Sequence, residues 1–159
     1  MASSSRFNTA LHALSLLSFF PEGASSELIA SSVRAHAVAV RRVLQKLVSA
    51  RLIEAAEGRG GGYRLRRPAA EIRLDQVWHA VESDELLAAN PAVPSASCPI
   101  GSGMRKAFAE VSHRAQAGML DALAGETVAH VARRALQSGS EARKSGKRAP
   151  APPARRARA

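Results

Sequence analysis

The chain has 159 residues, with 23 Lys and Arg against 13 Asp and Glu for a net charge of +10, and a single cysteine. That length holds one domain with a real core plus an accessory element, and no apolar run reaches the ~20 residues that a membrane-spanning helix needs. One cysteine excludes an internal disulfide, and a basic excess of this size most commonly serves a phosphate backbone.

The charge is uneven. Residues 6–73 carry eleven basic and five acidic side chains, residues 74–137 five and seven, and residues 138–159 seven and one. The first stretch opens with an apolar run, residues 10–20, that looks like part of a signal peptide. His12 and Ser15 interrupt it, however, and Pro21-Glu22-Gly23 follows in place of a small-residue cleavage site. Phe7, Leu11, Leu14, Leu17 and Phe20 recur at three- and four-residue spacing, so the segment reads as a buried helix and the protein as cytoplasmic.

Ser25 or Ser26 is placed to cap a second helix, with Leu28, Ile29 and Val33 facing inward. A short turn at residues 34–37 leads to a third helix, whose apolar seam is Val40, Val43, Leu44, Leu47 and Val48. Val38, Ala39, Arg41, Arg42, Gln45, Lys46 and Ser49 are left facing out. Two short runs, 52–56 and 63–67, then flank a tip with glycine at four of its six places, where positive φ and close backbone approach are available. Pro68 stops the second run.

Helix, turn, basic amphipathic helix and glycine-tipped hairpin spell a mainly α, winged helix-turn-helix domain, whose commonest ligand is duplex DNA. Candidate DNA contacts are Ser26, His36, Val38, Arg41, Arg42, Gln45 and Lys46, with Arg59 and Arg64 from the wing. Arg41 or Arg42 suits a bidentate guanine contact, Val38 a thymine methyl, His36 a phosphate and Arg59 a minor groove. The plain alternatives are a solvated charged helix face and a hairpin with incidental arginines.

Downstream, residues 74–83 read as a helix with Leu74, Val77, Trp78 and Val81 on one side, followed by a loop marked by Asn90-Pro91 and Pro94. Residues 103–124 form the longest helical pattern, with Met104, Phe108, Val111, Ala115, Met119 and Leu123 in one stripe. A stripe outside a domain already complete by residue 73 needs a partner surface, and a second copy of the chain is the simplest supplier. A short helix at 126–136 precedes low-complexity sequence unable to bury enough apolar area to order itself. The expected organisation is therefore a DNA-binding domain at 1–73, a connecting helix and loop at 74–100, a dimerisation unit at 101–136 and a disordered basic tail at 137–159.

No metal site or cofactor is expected, because the five histidines never fall three or four residues apart and no histidine has a cysteine neighbour. The glycine-rich tip lacks the Gly-Lys-Ser/Thr end of a phosphate-binding loop. No nucleophile elbow or paired-carboxylate spacing suggests an enzyme. Cys98 has three readings: a buried structural thiol, a sensing thiol with its pKa lowered at a helix N-terminus, or a ligand shared across a dimer.

Four motifs in order resemble one bacterial family. They are Arg41-Arg42-Val43-Leu44 in the third helix, Gly60-Gly61-Gly62-Tyr63-Arg64-Leu65 in the wing, Ile72-Arg73-Leu74-Asp75-Gln76-Val77 leading to Ala80-Val81-Glu82, and Cys98-Pro99-Ile100-Gly101. Together they resemble the Rrf2 (Rrf-two) family of winged-helix transcription regulators, the group of IscR, NsrR and CymR, from Ser5 to about Leu136. The resemblance implies a homodimer with crossed long helices that binds an inverted-repeat operator and usually represses. In several members the loop before the long helix supplies three cysteines to an iron–sulfur cluster; here that loop has only Cys98, with Ala92 and Met104 six residues to either side. The expected function is a sequence-specific repressor, with an oxidant or small-molecule effector acting through the Cys98 region. The rivals are a winged-helix protein-interaction module and a sequence-blind architectural DNA binder.

Overall fold

Alanine, as much as leucine, decides where the first helix packs. In a computed structural model, which describes residues 3–56, 62–82, 86–87, 92, 94–95 and 97–144, helix α1 (Ser3–Leu17) buries Ala10, Ala13, Leu14 and Leu17 completely or nearly so. Phe7 and Leu11 are half-buried, while Phe20 lies outside the helix and is exposed, contrary to the expected stripe. The physical reason is Pro21, which disfavours helical φ/ψ at the residue before it.

Ser25 caps helix α2 (Ser26–Val33), its hydroxyl accepting from the Leu28 N–H at 3.2 Å. Ile29 and Ala30 face the core, whereas Leu28, expected inward, is 44% exposed. The chain then turns through Arg34 in the left-handed region (φ 55°), whose N–H bonds back to the end of α2. Helix α3 (Ala37–Ser49) starts at His36, whose Nδ1 accepts from the Val38 N–H at 3.4 Å. It buries Val40, Val43, Leu44 and Leu47.

Strands β1 (Ile53–Ala56) and β2 (Gly62–Leu65) pair antiparallel, with Ile53 opposite Leu65 and Ala56 opposite Gly62. The wing is also tied to the segment before α2, since Ala24 and Tyr63 exchange both backbone hydrogen bonds at 2.9 and 2.8 Å. This approach requires glycine at 62, because a Cβ there would lie 2.5 Å from the Ala24 carbonyl oxygen.

A 3-10 turn (Ala69–Glu71) leads into α4 (Leu74–Val81), which buries Leu74, Val77, Trp78 and Val81 as its spacing predicts. The long helix α5 (Gly101–Ala124) is followed by α6 (Val128–Lys144). Leu74 N–H donates to the Glu126 carbonyl and Val128 N–H to that of Ile72, both at 3.0 Å, so the start of α6 is stitched to the start of α4. Val77, Val81 and Val128 belong to the same buried cluster as Leu14, Leu44 and Ile53, and the core therefore runs across residue 73.

The last helix extends past Leu136 to Lys144, into the segment read from sequence as a disordered tail beginning at 137. Gln137, Glu141, Ala142, Arg143 and Lys144 are good helix formers and the next proline is Pro150, so an ordered start at Val128 propagates despite Gly139. Residues 145–159, the remainder of that segment, lie outside the described residues. Among the described residues no helix is long and apolar enough to cross a membrane.

Candidate nucleic-acid interface

With Val40, Val43, Leu44 and Leu47 turned into the core, the 100° step of the helix places Val38, Arg41, Arg42 and Gln45 on the opposite side of α3. All four are exposed, Val38 by 47%. A helix presenting a basic outer face, with a two-stranded ribbon beside it, has the shape and charge that a major groove admits. Arg42 is exposed and makes no hydrogen bond or ion pair among the described residues.

The two flanks of this face are held by other helices. On the α2 side, Arg41 donates from Nη2 to Glu27 Oε1 at 2.8 Å and from Nε to the Ser26 hydroxyl at 3.4 Å. Ser26 in turn donates to Glu27 Oε1 at 3.0 Å. The Arg41 guanidinium, with help from the helix N-terminus and Ser26, pulls the Glu27 carboxyl down to about 2.

On the α4 side, Lys46 Nζ donates to the Val81 carbonyl at 2.8 Å, at the C-terminus of that helix. Next to it Arg6 pairs with Glu82 at 2.8 Å, and the same carboxylate accepts the Phe7 N–H at 3.1 Å. The Glu82 side chain is fully buried, a position that a carboxylate tolerates only when paired and hydrogen-bonded. Arg6, Arg42 and Lys46 line a cleft of about 190 Å³ together with Ala39 and Val43.

Several expected DNA contacts thus have internal partners. Ser26 and Arg41 hold each other, Lys46 holds α4, and His36 caps α3. Arg64 pairs with Glu54 across the wing at 2.6 Å, and Arg66 approaches the same carboxylate at 3.8 Å. Arg59 lies outside the described residues. Glu27, Arg6 and Glu82 are the residues that sequence reasoning missed. Glu27 reads as an ordinary acid in the first turn of a helix, and nothing in a linear pattern links it to an arginine fourteen positions on.

The stripe expected to meet a second copy is largely uncovered. Met104 and Val111 are about half exposed, Ala115 is exposed, and Phe108 and Met119 are half-buried. Leu123 instead packs against the chain's own core. In all of α5 only Ser112 is buried, its hydroxyl donating to the Leu87 carbonyl at 3.3 Å.

Cys98 is exposed, which sets aside the reading of a buried structural thiol. Its Sγ accepts the Gly101 N–H at 3.4 Å, and this bond, with that of Ile100, lowers its pKa below the ordinary thiol value.

An exposed basic helix, a helix-turn-helix bend and a paired wing define a winged helix-turn-helix of the transcription-regulator class. The Rrf2 pattern, described as "Iron-dependent Transcriptional regulator", matches residues 3–134. This chain belongs to the Rrf2 family. It is 35% identical over 127 residues to the "Putative HTH-type transcriptional regulator YwnA" of Bacillus subtilis (strain 168), covering 80% of this chain and 94% of that one. A solved structure, "Crystal structure of a putative DNA binding protein", is 32% identical with a TM-score of 0.64, covering 79% of this chain and 97% of the other. The structure "T. potens IscR" shares the fold at 19% identity and a TM-score of 0.59, over 82% of this chain and 85% of its own.

An iron-dependent site of the kind the family description names needs a set of thiolate, imidazole or carboxylate donors. These 159 residues contain one cysteine, and the described residues hold no group of three or more His, Cys, Asp or Glu arranged for a metal ion. A three-thiolate cluster site does not fit this chain.

Proposed function

We propose that this protein is a homodimeric repressor that binds an inverted-repeat operator. The carrying observation is the exposed outer face of α3, with Val38, Arg41, Arg42 and Gln45 opposite a fully buried apolar seam. In this reading two copies of α3 enter successive major grooves about 34 Å apart, and the bound dimer excludes polymerase. The uncovered stripe on α5 supports pairing through that helix, because an apolar stripe gains free energy only when a partner covers it. The names borne by the relatives support a regulator over an enzyme, and a cytoplasmic site of action follows from DNA as the partner.

Cys98 is the second element of the proposal. An exposed thiol with a lowered pKa is a better nucleophile toward oxidants at neutral pH. Attack of the Cys98 thiolate on a peroxide would break the O–O bond, leaving sulfenic acid on the cysteine and releasing hydroxide or alkoxide, at the start of the helix that would pair the two copies, and this change would weaken DNA binding.

The test is selection of bound sequences from a random duplex library, with the full chain at raised salt so that the basic tail does not retain every duplex. An enriched inverted repeat is the expected result. Strong binding with no enriched sequence would favour the architectural reading, and absence of binding would favour a protein-interaction module. Either would overturn the repressor.

A further inference from the structure

We infer that Glu27, on α2, is a positioning residue for sequence discrimination: with Ser26 it fixes the Arg41 guanidinium so that only its far edge is offered to the major groove. The inference rests on the DNA-reading function proposed above and adds to it a residue that contributes no positive charge.

A guanidinium carries five N–H donors in a planar fork, one on Nε and two on each Nη. Nε is given to the Ser26 hydroxyl, and the neighbouring N–H of Nη2 to Glu27. What is left is the end edge, both N–H groups of Nη1 and the outer one of Nη2. Two parallel donors on that edge match O6 and N7 of guanine, the bidentate contact by which arginine most often reads a base. An arginine free on all sides can instead turn either edge to a phosphate, which adds affinity but no sequence information.

Ser26 completes the clamp. Its single hydroxyl proton goes to Glu27 Oε1 at 3.0 Å, so its oxygen is free to accept from Arg41 Nε. The three groups form a closed ring of donors and acceptors spanning the two helices of the motif.

The carboxylate has a second effect. Glu27 is largely exposed, with its side chain 66% accessible, and it stands beside the groove-facing surface. There it repels phosphate oxygens that approach Arg41 from the side, which penalises docking in the wrong register. Specificity commonly comes from such a repulsive element beside an attractive one. The ion pair itself adds little to stability, as exposed pairs generally do. Its contribution is geometric.

The experiment compares wild type, Glu27→Ala and Arg41→Ala, all as full chains, in parallel selections from one random duplex library, followed by salt titrations on a fixed random-sequence duplex. Wild type is expected to enrich a half-site with one strongly preferred guanine that Arg41→Ala loses, a discrimination of roughly 10-fold or more. Glu27→Ala, which removes the acceptor oxygen, should reduce the preference at that same guanine to within about threefold while leaving the rest of the half-site intact. Its binding to the random duplex should gain salt dependence, by a slope of about 0.9 for one additional phosphate contact. A merely structural role would weaken every position alike. Full retention of the guanine preference in Glu27→Ala overturns this inference and leaves the DNA-reading function standing. Failure of wild type to enrich any sequence overturns both. Because Glu27 is exposed, matching thermal melts are expected for wild type and Glu27→Ala.

Discussion

Helices α3 and α5 each present apolar residues at helical spacing, yet one is completed by its own chain and the other is not. α3 turns four branched aliphatic side chains into a closed core and shows water a mainly polar and basic side, with Val38 as its one exposed large apolar residue. α5 is 24 residues long, buries one serine, and leaves Met104 and Val111 half exposed. A stripe gains hydrophobic free energy only from the surface that covers it. The first stripe contributes to the stability of a single chain, and the second is available to an assembly.

The largest effect is expected in the core beneath α3. Leu44→Ala removes a fully buried side chain from α3 and should cost about 3 kcal/mol, read by urea unfolding. A loss below about 1 kcal/mol would mean that the core at α3 is looser than its burial implies. The α4 flank of α3 is a second lever of nearly this size. Glu82→Ala removes the buried carboxylate that pairs with Arg6 and accepts the Phe7 N–H, and should cost about 3 kcal/mol, toward the low end for a buried pair because Arg6 keeps some solvent access.

On α5 the expected effect is of a different kind. Val111→Ser should change the unfolding free energy of the monomer by no more than about 0.5 kcal/mol, as half-exposed positions do. The same change should shift sedimentation velocity from dimer toward monomer. An unaltered sedimentation coefficient in the double variant Met104→Ser, Val111→Ser would refute pairing through this stripe.

The smallest effect concerns Cys98, at the entrance to α5. Because the Gly101 and Ile100 N–H groups stabilise the thiolate, its pKa is lowered, and alkylation by iodoacetamide should reach half its maximal rate at a lower pH in the folded chain than in urea. The sign follows from the nucleophile being the ionised form, whose population at a given pH rises as the pKa falls. Coincident pH profiles would show that these hydrogen bonds have no chemical consequence.

The order of elements, the α3 seam at Val40, Val43, Leu44 and Leu47, the α4 seam and the wing were legible because hydrophobic periodicity and glycine placement are local properties of a chain. Arg41 and Arg42 were legible as candidates for the same reason. The tertiary structure decided what lies across elements: that Ala10 and Ala13 rather than Phe20 meet the core, that Leu28 faces water, that Gly62 passes the Ala24 carbonyl, and that α6 continues to Lys144. It also decided which basic residues already have partners, since Glu27 meets Arg41, and Val81 meets Lys46, only after three helices have packed. A sequence specifies which side chains can form ion pairs and hydrogen bonds, whereas these contacts act over a few ångströms, and only packing brings residues distant in the chain within that range.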